Sequence, residues 1–169
     1  MISETELASL VATLFSMMNP IGNVGVFAGL TTDRTASEVR RIAATSALAI
    51  AITLLVVTWS GSFVMKFFGL TVDTLRAAGG IIVLLIGLHM LFNKSEHKHT
   101  AAELEDAKSN DSIAVVPMAI PIVAGPGTMA TVLVAAQNDP SVLSKAAISV
   151  VVIVLSGLCC LLFSFAKPI

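Results

Sequence analysis

The chain has no tyrosine, a single tryptophan and two cysteines, and charged residues make up only 12% of its 169 positions. Soluble domains carry about a quarter charged residues, so the charge deficit alone argues against a water-soluble globule. The two cysteines, Cys159 and Cys160, are adjacent within an apolar run, which excludes a disulfide framework and suggests no metal site. A net charge of -1 and a pI near 6.3 supply no basic field for nucleic acid. The N-terminal Met1-Ile2-Ser3-Glu4-Thr5-Glu6 lacks the positive charge of a cleavable signal, so the apolar run behind it reads as a permanent span. What the chain does have is hydrophobicity: 56% of residues are apolar and the mean hydropathy is +0.91. A fold of this size cannot hide so much apolar surface from water, and its expected partner is a lipid bilayer.

A helix needs about 20 mostly apolar residues to cross the hydrocarbon core. Five stretches answer to that, at 7–30, 42–68, 75–92, 113–137 and 142–166. They predict an all-α membrane protein forming one transmembrane domain over 1–169, with the polar segment 93–112 as its one long loop. Lysine and arginine set the orientation. Arg34, Arg40, Arg41, Lys94, Lys98, Lys108 and Lys167 share one side, against Lys66, Arg76 and Lys145 on the other. The N-terminus is therefore expected outside and the 93–112 loop in the cytoplasm.

Two spans are interrupted. The first contains Asn19-Pro20-Ile21-Gly22-Asn23 and the fourth Ala124-Gly125-Pro126-Gly127-Thr128. Proline inside a helix removes a hydrogen bond and clashes with the preceding turn, at a cost of about 3 kcal/mol, and glycine adds to it. In hydrocarbon, such a break is tolerated where it is buried in protein or lines a wet cavity. A single break of this kind reads as a kink; two in matching places read as a design. Each broken span is followed by a loop and an unbroken span carrying small polar residues: Ser46, Thr53 and Ser60 in one, Ser149 and Ser156 in the other. Ser46 and Ser149 are 103 apart, as are Thr53 and Ser156, and the prolines are 106 apart. A unit of three spans crosses an odd number of times, so its copy enters from the opposite face, as in many secondary transporters. The expectation is a six-helix 3+3 inverted repeat with helices 1 and 4 discontinuous. Repeat one occupies 7–92 and an incomplete repeat two occupies 113–169, with the sixth span missing.

Half-helices starting at Gly22 and at Thr128 would present unpaired N–H groups and a positive dipole end, with Asn23 or Thr128 as caps. Half-helices ending before the breaks would present carbonyls. A zwitterion suits such a site. The side chains nearby are small or uncharged (Ser16, Asn19, Asn23, Gly127, Thr128, Thr131), and no Asp, Glu, Lys or Arg lies deep in a span. A charged substrate would call for an intramembrane counter-charge, so a small neutral amino acid is the expected guest. The candidate site residues are Asn19, Pro20, Gly22, Asn23, Gly125, Pro126, Gly127 and Thr128.

Asn19-Pro20-Ile21-Gly22-Asn23, and the run from Pro117 through Pro121 to Ala124-Gly125-Pro126-Gly127-Thr128, resemble the two hallmark motifs of the MarC family, bacterial and archaeal inner-membrane proteins related to the LysE exporters. The resemblance covers essentially the whole chain. It implies six spans in two inverted three-helix repeats, discontinuous first and fourth helices, a bacterial inner-membrane location and transport of small neutral amino acids such as glycine and alanine. This chain departs from the pattern in lacking the sixth span.

An intramembrane enzyme would need a nucleophile and base, paired aspartates or a metal cluster within the spans; none is present, and no cofactor or metal is expected. The competing reading is a non-transporting membrane protein, either a partner subunit or an inactive remnant. A homo-oligomer is possible under both readings. His89 reads as an interfacial histidine near the end of the third span. His97 and His99 read as solvated loop residues, and Ala77-Ala78-Gly79-Gly80 with Gly87 as a close-packing face. Lys66, Asp73 and Arg76 read as interfacial anchors.

Overall fold

The computed structural model describes residues 4–71, helical positions 73, 74, 77, 78, 80, 81, 84, 85 and 88, and residues 114–166, with backbone alone at 116, 117 and 121. The third span is thus described only at some of its positions. The 93–112 loop and all three histidines lie outside the described residues.

The elements in order are α1 (Glu4–Met18), α2 (Gly22–Leu30), α3 (Ala36–Phe68), a π-helical segment (Ala114–Val123), α4 (Pro126–Asn138) and α5 (Val142–Ser164). All described elements are helical, as the composition demands. Three described stretches are long and apolar enough to cross a membrane: Glu4–Leu30, Ala36–Phe68 and Val142–Ser164.

Local chemistry sets the helix ends. Thr35 and Glu38 form a capping box: the Thr35 hydroxyl accepts from the Glu38 N–H at 3.4 Å, and the Glu38 carboxylate accepts from the Thr35 N–H at 2.8 Å. Arg34 adds an ion pair to Glu38 at 3.8 Å. The helix therefore begins six residues before the apolar run expected from 42. At 33 residues it is about 50 Å long, and its first turns, with Arg40 and Arg41 exposed, project beyond a 30 Å hydrocarbon core. It ends where Gly69 turns left-handed at φ 65° and the Leu70 N–H closes on the Met65 carbonyl at 2.9 Å. Ser141 caps α5 by accepting from the Ser144 N–H at 3.2 Å. Both caps, Thr35 and Ser141, lie fifteen residues after the proline of the preceding break, Pro20 or Pro126.

α3 and α5 form the centre of the bundle. On α3 the buried residues Val39, Ala43, Ser46, Ala47, Ile50, Leu54, Thr58, Gly61 and Met65 recur at steps of three and four, one stripe of a helix. The hydrogen bonds Trp59–Ser149 and Lys145–Ser62 show the pair to be antiparallel, since residue numbers fall on α5 as they rise on α3. Between apolar helices in lipid, association depends on close fit. At Gly61 the fit is tight: a Cβ there would collide with a methyl of Leu133 on α4. Phe27 of α2 stacks on Phe163 of α5, with centroids 4.8 Å apart and planes 9° apart. The opposite faces, with Leu48, Ile52, Val56 and Phe63 on α3 and Val150, Ile153, Val154 and Leu161 on α5, are exposed. Apolar surface on that scale fits hydrocarbon surroundings.

Candidate functional site

The first break is a closed hydrogen-bond circuit. The Asn19 N–H still donates to the Phe15 carbonyl at 3.0 Å, completing α1. Asn19 then turns left-handed, at φ 43°, a conformation asparagine tolerates better than other residues with a side chain. Its side-chain Oδ1 accepts from the Gly22 N–H at 3.1 Å, and its carbonyl accepts from the Asn23 N–H at 3.0 Å. Pro20 lies between them and has no N–H to satisfy, which suits it to the first turn of a helix. Gly22 has no room for a side chain, because an added Cβ would collide with the Asn19 carboxamide. Asn23 reaches backwards, its Nδ2 donating to the Met18 carbonyl at 2.9 Å.

The second break is built differently. Pro117 and Pro121 precede it and lack the N–H that an α-helical ladder needs. The segment Ala114–Val123 is π-helical, and the Ala124 N–H donates five residues back to the Ala119 carbonyl at 2.8 Å. Gly125 is extended (φ -75°, ψ 175°), and α4 starts at Pro126 with no side-chain cap. Thr128 Oγ1 donates to the Val123 carbonyl at 2.9 Å. Gly125, Gly127 and Thr128 are buried, whereas Asn19 and Gly22 are exposed and Pro20 is buried.

Asn23 and Thr128 thus do the same job. Each donates across its break to the carbonyl five residues earlier, that of Met18 or Val123. Neither caps the helix that follows, contrary to the sequence expectation. The reason is geometric: both side chains point back over the gap, where a carbonyl would otherwise lack a partner. The capping side chain is Asn19, whose role depends on its positive φ. The second half-helix also begins two residues earlier than expected, at Pro126 instead of Thr128.

The broken spans touch. α1 packs on α4 and more lightly on the π segment, and α2 packs on the π segment. First half against second half, and second against first, is the pairing of antiparallel neighbours. Of the small polar residues on the unbroken spans, Ser46 and Ser156 are buried with hydroxyls that have no hydrogen-bond partner. Ser60 and Ser149 donate to the carbonyls four residues back, those of Val56 and Lys145, as Thr131 does to Gly127. An open apolar groove lined by Glu4, Leu7, Ala8, Val11, Ala12 and Phe15 runs along α1 and stops one turn before Asn19. Among the described residues no three His, Cys, Asp or Glu side chains group as metal ligands.

Sequence reasoning missed two features. One is the π-helical approach to the second break, for which the spacing of Pro117 and Pro121 was a usable signal. The other is a polar cluster of Trp59, Ser62, Gln137 and Lys145, which carries no motif.

Comparison with known proteins supports the same grouping. The chain is 33% identical over 156 residues to the membrane protein YvbG of Bacillus subtilis, covering 91% of this chain and 74% of that one. It is 35% identical over 122 residues to the membrane protein YhcE of Escherichia coli, covering 72% and 57% respectively. It is 36% identical over 134 residues to the Escherichia coli inner membrane protein MarC, covering 76% and 60%. The chain therefore spans less than two thirds of the length of the latter two. No solved structure matches. Residues 5–169 match the MarC family of integral membrane proteins, and the chain belongs to that family.

Proposed function

We propose that the chain is the core of a secondary transporter for small neutral amino acids of the glycine and alanine type. By analogy with its relative MarC, its place would be the inner membrane, and the lysine and arginine distribution would put the N-terminus outside and the 93–112 loop in the cytoplasm. The observation that carries this reading is the pair of helix breaks in contacting spans, each bridged by a donor from its second half. Breaks of this kind expose peptide dipoles within the bilayer. The two ends differ in a way that suits a zwitterion. At the first break the Gly22 N–H is already taken by the Asn19 side chain, while the Asn23 N–H bond to the Asn19 carbonyl has its counterpart at the second break in Met129 and Gly125. At the second, α4 has no side-chain cap, so its first-turn N–H groups retain the positive end that attracts a carboxylate. The substrate carboxylate is accordingly assigned to Gly127 and Thr128, and the ammonium to carbonyls ending α1. The absence of a described ionised side chain at either break favours a neutral substrate, and the chemistry at the breaks offers no enzymatic nucleophile or base pair.

The test is uptake of radiolabelled glycine and alanine by proteoliposomes containing the chain, with arginine and glutamate as controls. Glycine or alanine flux is expected, and Gly127→Leu, which fills a buried position, should lower it at least about tenfold while the purified protein remains monodisperse. Absence of flux for every amino acid, or unchanged flux in Gly127→Leu, overturns the proposal. The first of these outcomes would favour a non-transporting membrane protein.

A further inference from the structure

Where α3 ends and α5 begins, four polar side chains from three helices converge. Gln137 Nε2 donates to Ser62 Oγ at 2.7 Å, and Lys145 Nζ donates to the same oxygen at 3.4 Å. The ammonium also lies 6.0 Å from the centre of the Trp59 ring, at the outer limit of a cation–π contact. Trp59 is itself held, its Nε1 donating to Ser149 Oγ at 3.2 Å. A hydroxyl has two acceptor lone pairs and one proton. With both Ser62 lone pairs used, its proton must point to a further acceptor. Lys145 has two more N–H bonds to give and Gln137 has one. The ion pair among the described residues is Arg34–Glu38, so Lys145 has no carboxylate partner among them. The described carboxylate on the same connection, Asp139, accepts from the Ser141 N–H at 3.1 Å. Among the described residues, donors thus converge here with no carboxylate to receive them.

We propose that Lys145, Ser62 and Gln137 form a phosphate-binding notch, and that the phosphate it takes belongs to the headgroup of an anionic phospholipid. Three or four N–H and O–H donors around one cation are what a phosphodiester oxygen accepts. The surface beside the notch indicates where that phosphate comes from. Trp59, Phe63 and Phe67 recur every four residues on α3, one ridge of the helix, and are 50%, 72% and 74% exposed. An aromatic ridge next to a donor cluster fits a molecule with a phosphate and acyl chains, and a free phosphate would leave the ridge unused. The notch stands apart from the helix breaks and does not depend on the transport reading.

Native mass spectrometry of the detergent-purified chain, titrated with phosphatidylglycerol, phosphatidylcholine or glycerol phosphate, tests this. Phosphatidylglycerol should bind more tightly than phosphatidylcholine, and glycerol phosphate should bind far more weakly. Lys145→Met and Ser62→Ala should each weaken phosphatidylglycerol binding by about five- to tenfold, the loss of one or two charge-assisted hydrogen bonds. Lys145→Arg should retain it. Lys66→Met removes the same charge from an exposed position near the same end of α3 and should change binding less than about twofold, because it leaves those hydrogen bonds in place. Equal effects of Lys145→Met and Lys66→Met, or no effect of Ser62→Ala, would reduce the notch to general surface charge and overturn the proposal. Glycerol phosphate binding as tightly as the lipid would overturn the lipid assignment.

Discussion

Asn19 holds the first break together in two separable ways, and replacing it should show both. Asn19→Ala removes the acceptor of the Gly22 N–H at 3.1 Å and leaves a β-carbon residue at φ 43°. Loss of an asparagine cap costs about 1 kcal/mol, and holding an ordinary L-residue left-handed costs about 1 kcal/mol more. The expected destabilisation is about 2 kcal/mol, or roughly thirtyfold in the unfolding equilibrium. Asn19→Gly loses the cap but accepts positive φ freely, so its cost should be a few tenths of a kcal/mol. The chain's single tryptophan, Trp59, bonded from α3 to Ser149 on α5, reports directly on separation of the two central helices. Unfolding in mixed micelles followed by its fluorescence therefore measures both variants against the same baseline. Asn19→Ala as stable as the natural chain, or no worse than Asn19→Gly, would refute the claim that the break is fixed by a left-handed capping residue.

Three further outcomes follow from the same packing. Gly61→Ala should fail to deliver the roughly 1 kcal/mol that alanine gains over glycine in a helix, because its Cβ meets the Leu133 methyl, which must turn aside, and should deliver it in a Leu133→Ala background in a double-mutant cycle; simple additivity in thermal melts would count against the close approach of α3 and α4. Thr128→Val, which keeps the shape and removes the bond to the Val123 carbonyl, should cost about 1 kcal/mol in the same unfolding assay, and no loss would show that carbonyl to be satisfied otherwise. The Ser141 hydroxyl and N–H hold the Asp139 carboxyl below its ordinary range. Its contribution to stability is therefore complete above the ordinary carboxylate pKa and lost as pH falls through the lowered one. Melting temperatures from pH 7 to pH 3 should fall more steeply for the natural chain than for Asp139→Asn, and parallel curves would refute the linkage.

The spans and their interruptions were legible because they rest on local rules. Apolar run length and the backbone chemistry of proline act wherever those residues stand, so 7–30 and 142–166 were read close to Glu4–Leu30 and Val142–Ser164. The start of α3 was read late because apolarity was taken as the boundary. The helix begins at a polar capping box, and Thr35 with Glu38 three residues on was visible in the sequence. The roles within the breaks were harder. Asn19, Asn23 and Thr128 are all plausible caps by residue type, and which of them caps depends on the φ of Asn19 and on where the side chains of Asn23 and Thr128 find an acceptor. In the sequence Lys145 counts only toward the positive charge of the outer side, and its convergence with Ser62 and Gln137 depends on the antiparallel register of α3 and α5, which no single segment encodes.

The two breaks share an architecture and differ in what remains unsatisfied. Both bridge the gap with a donor to the carbonyl five residues back, and both precede a capped, unbroken helix by fifteen residues from proline to cap. Such agreement in spacing and in bonding is hard to obtain by independent kinks, because a kink needs only a proline. The difference lies in the first turn that follows. Asn19 accepts at the start of α2, whereas the corresponding position before α4 is Gly125, which has no side chain to offer. Asparagine there would occupy the N–H group of Gly127 or Thr128, and glycine leaves them without a side-chain acceptor. Two breaks that share the bridge and differ in the cap are chemically distinct, and under the proposed function that asymmetry would favour one guest orientation over its reverse.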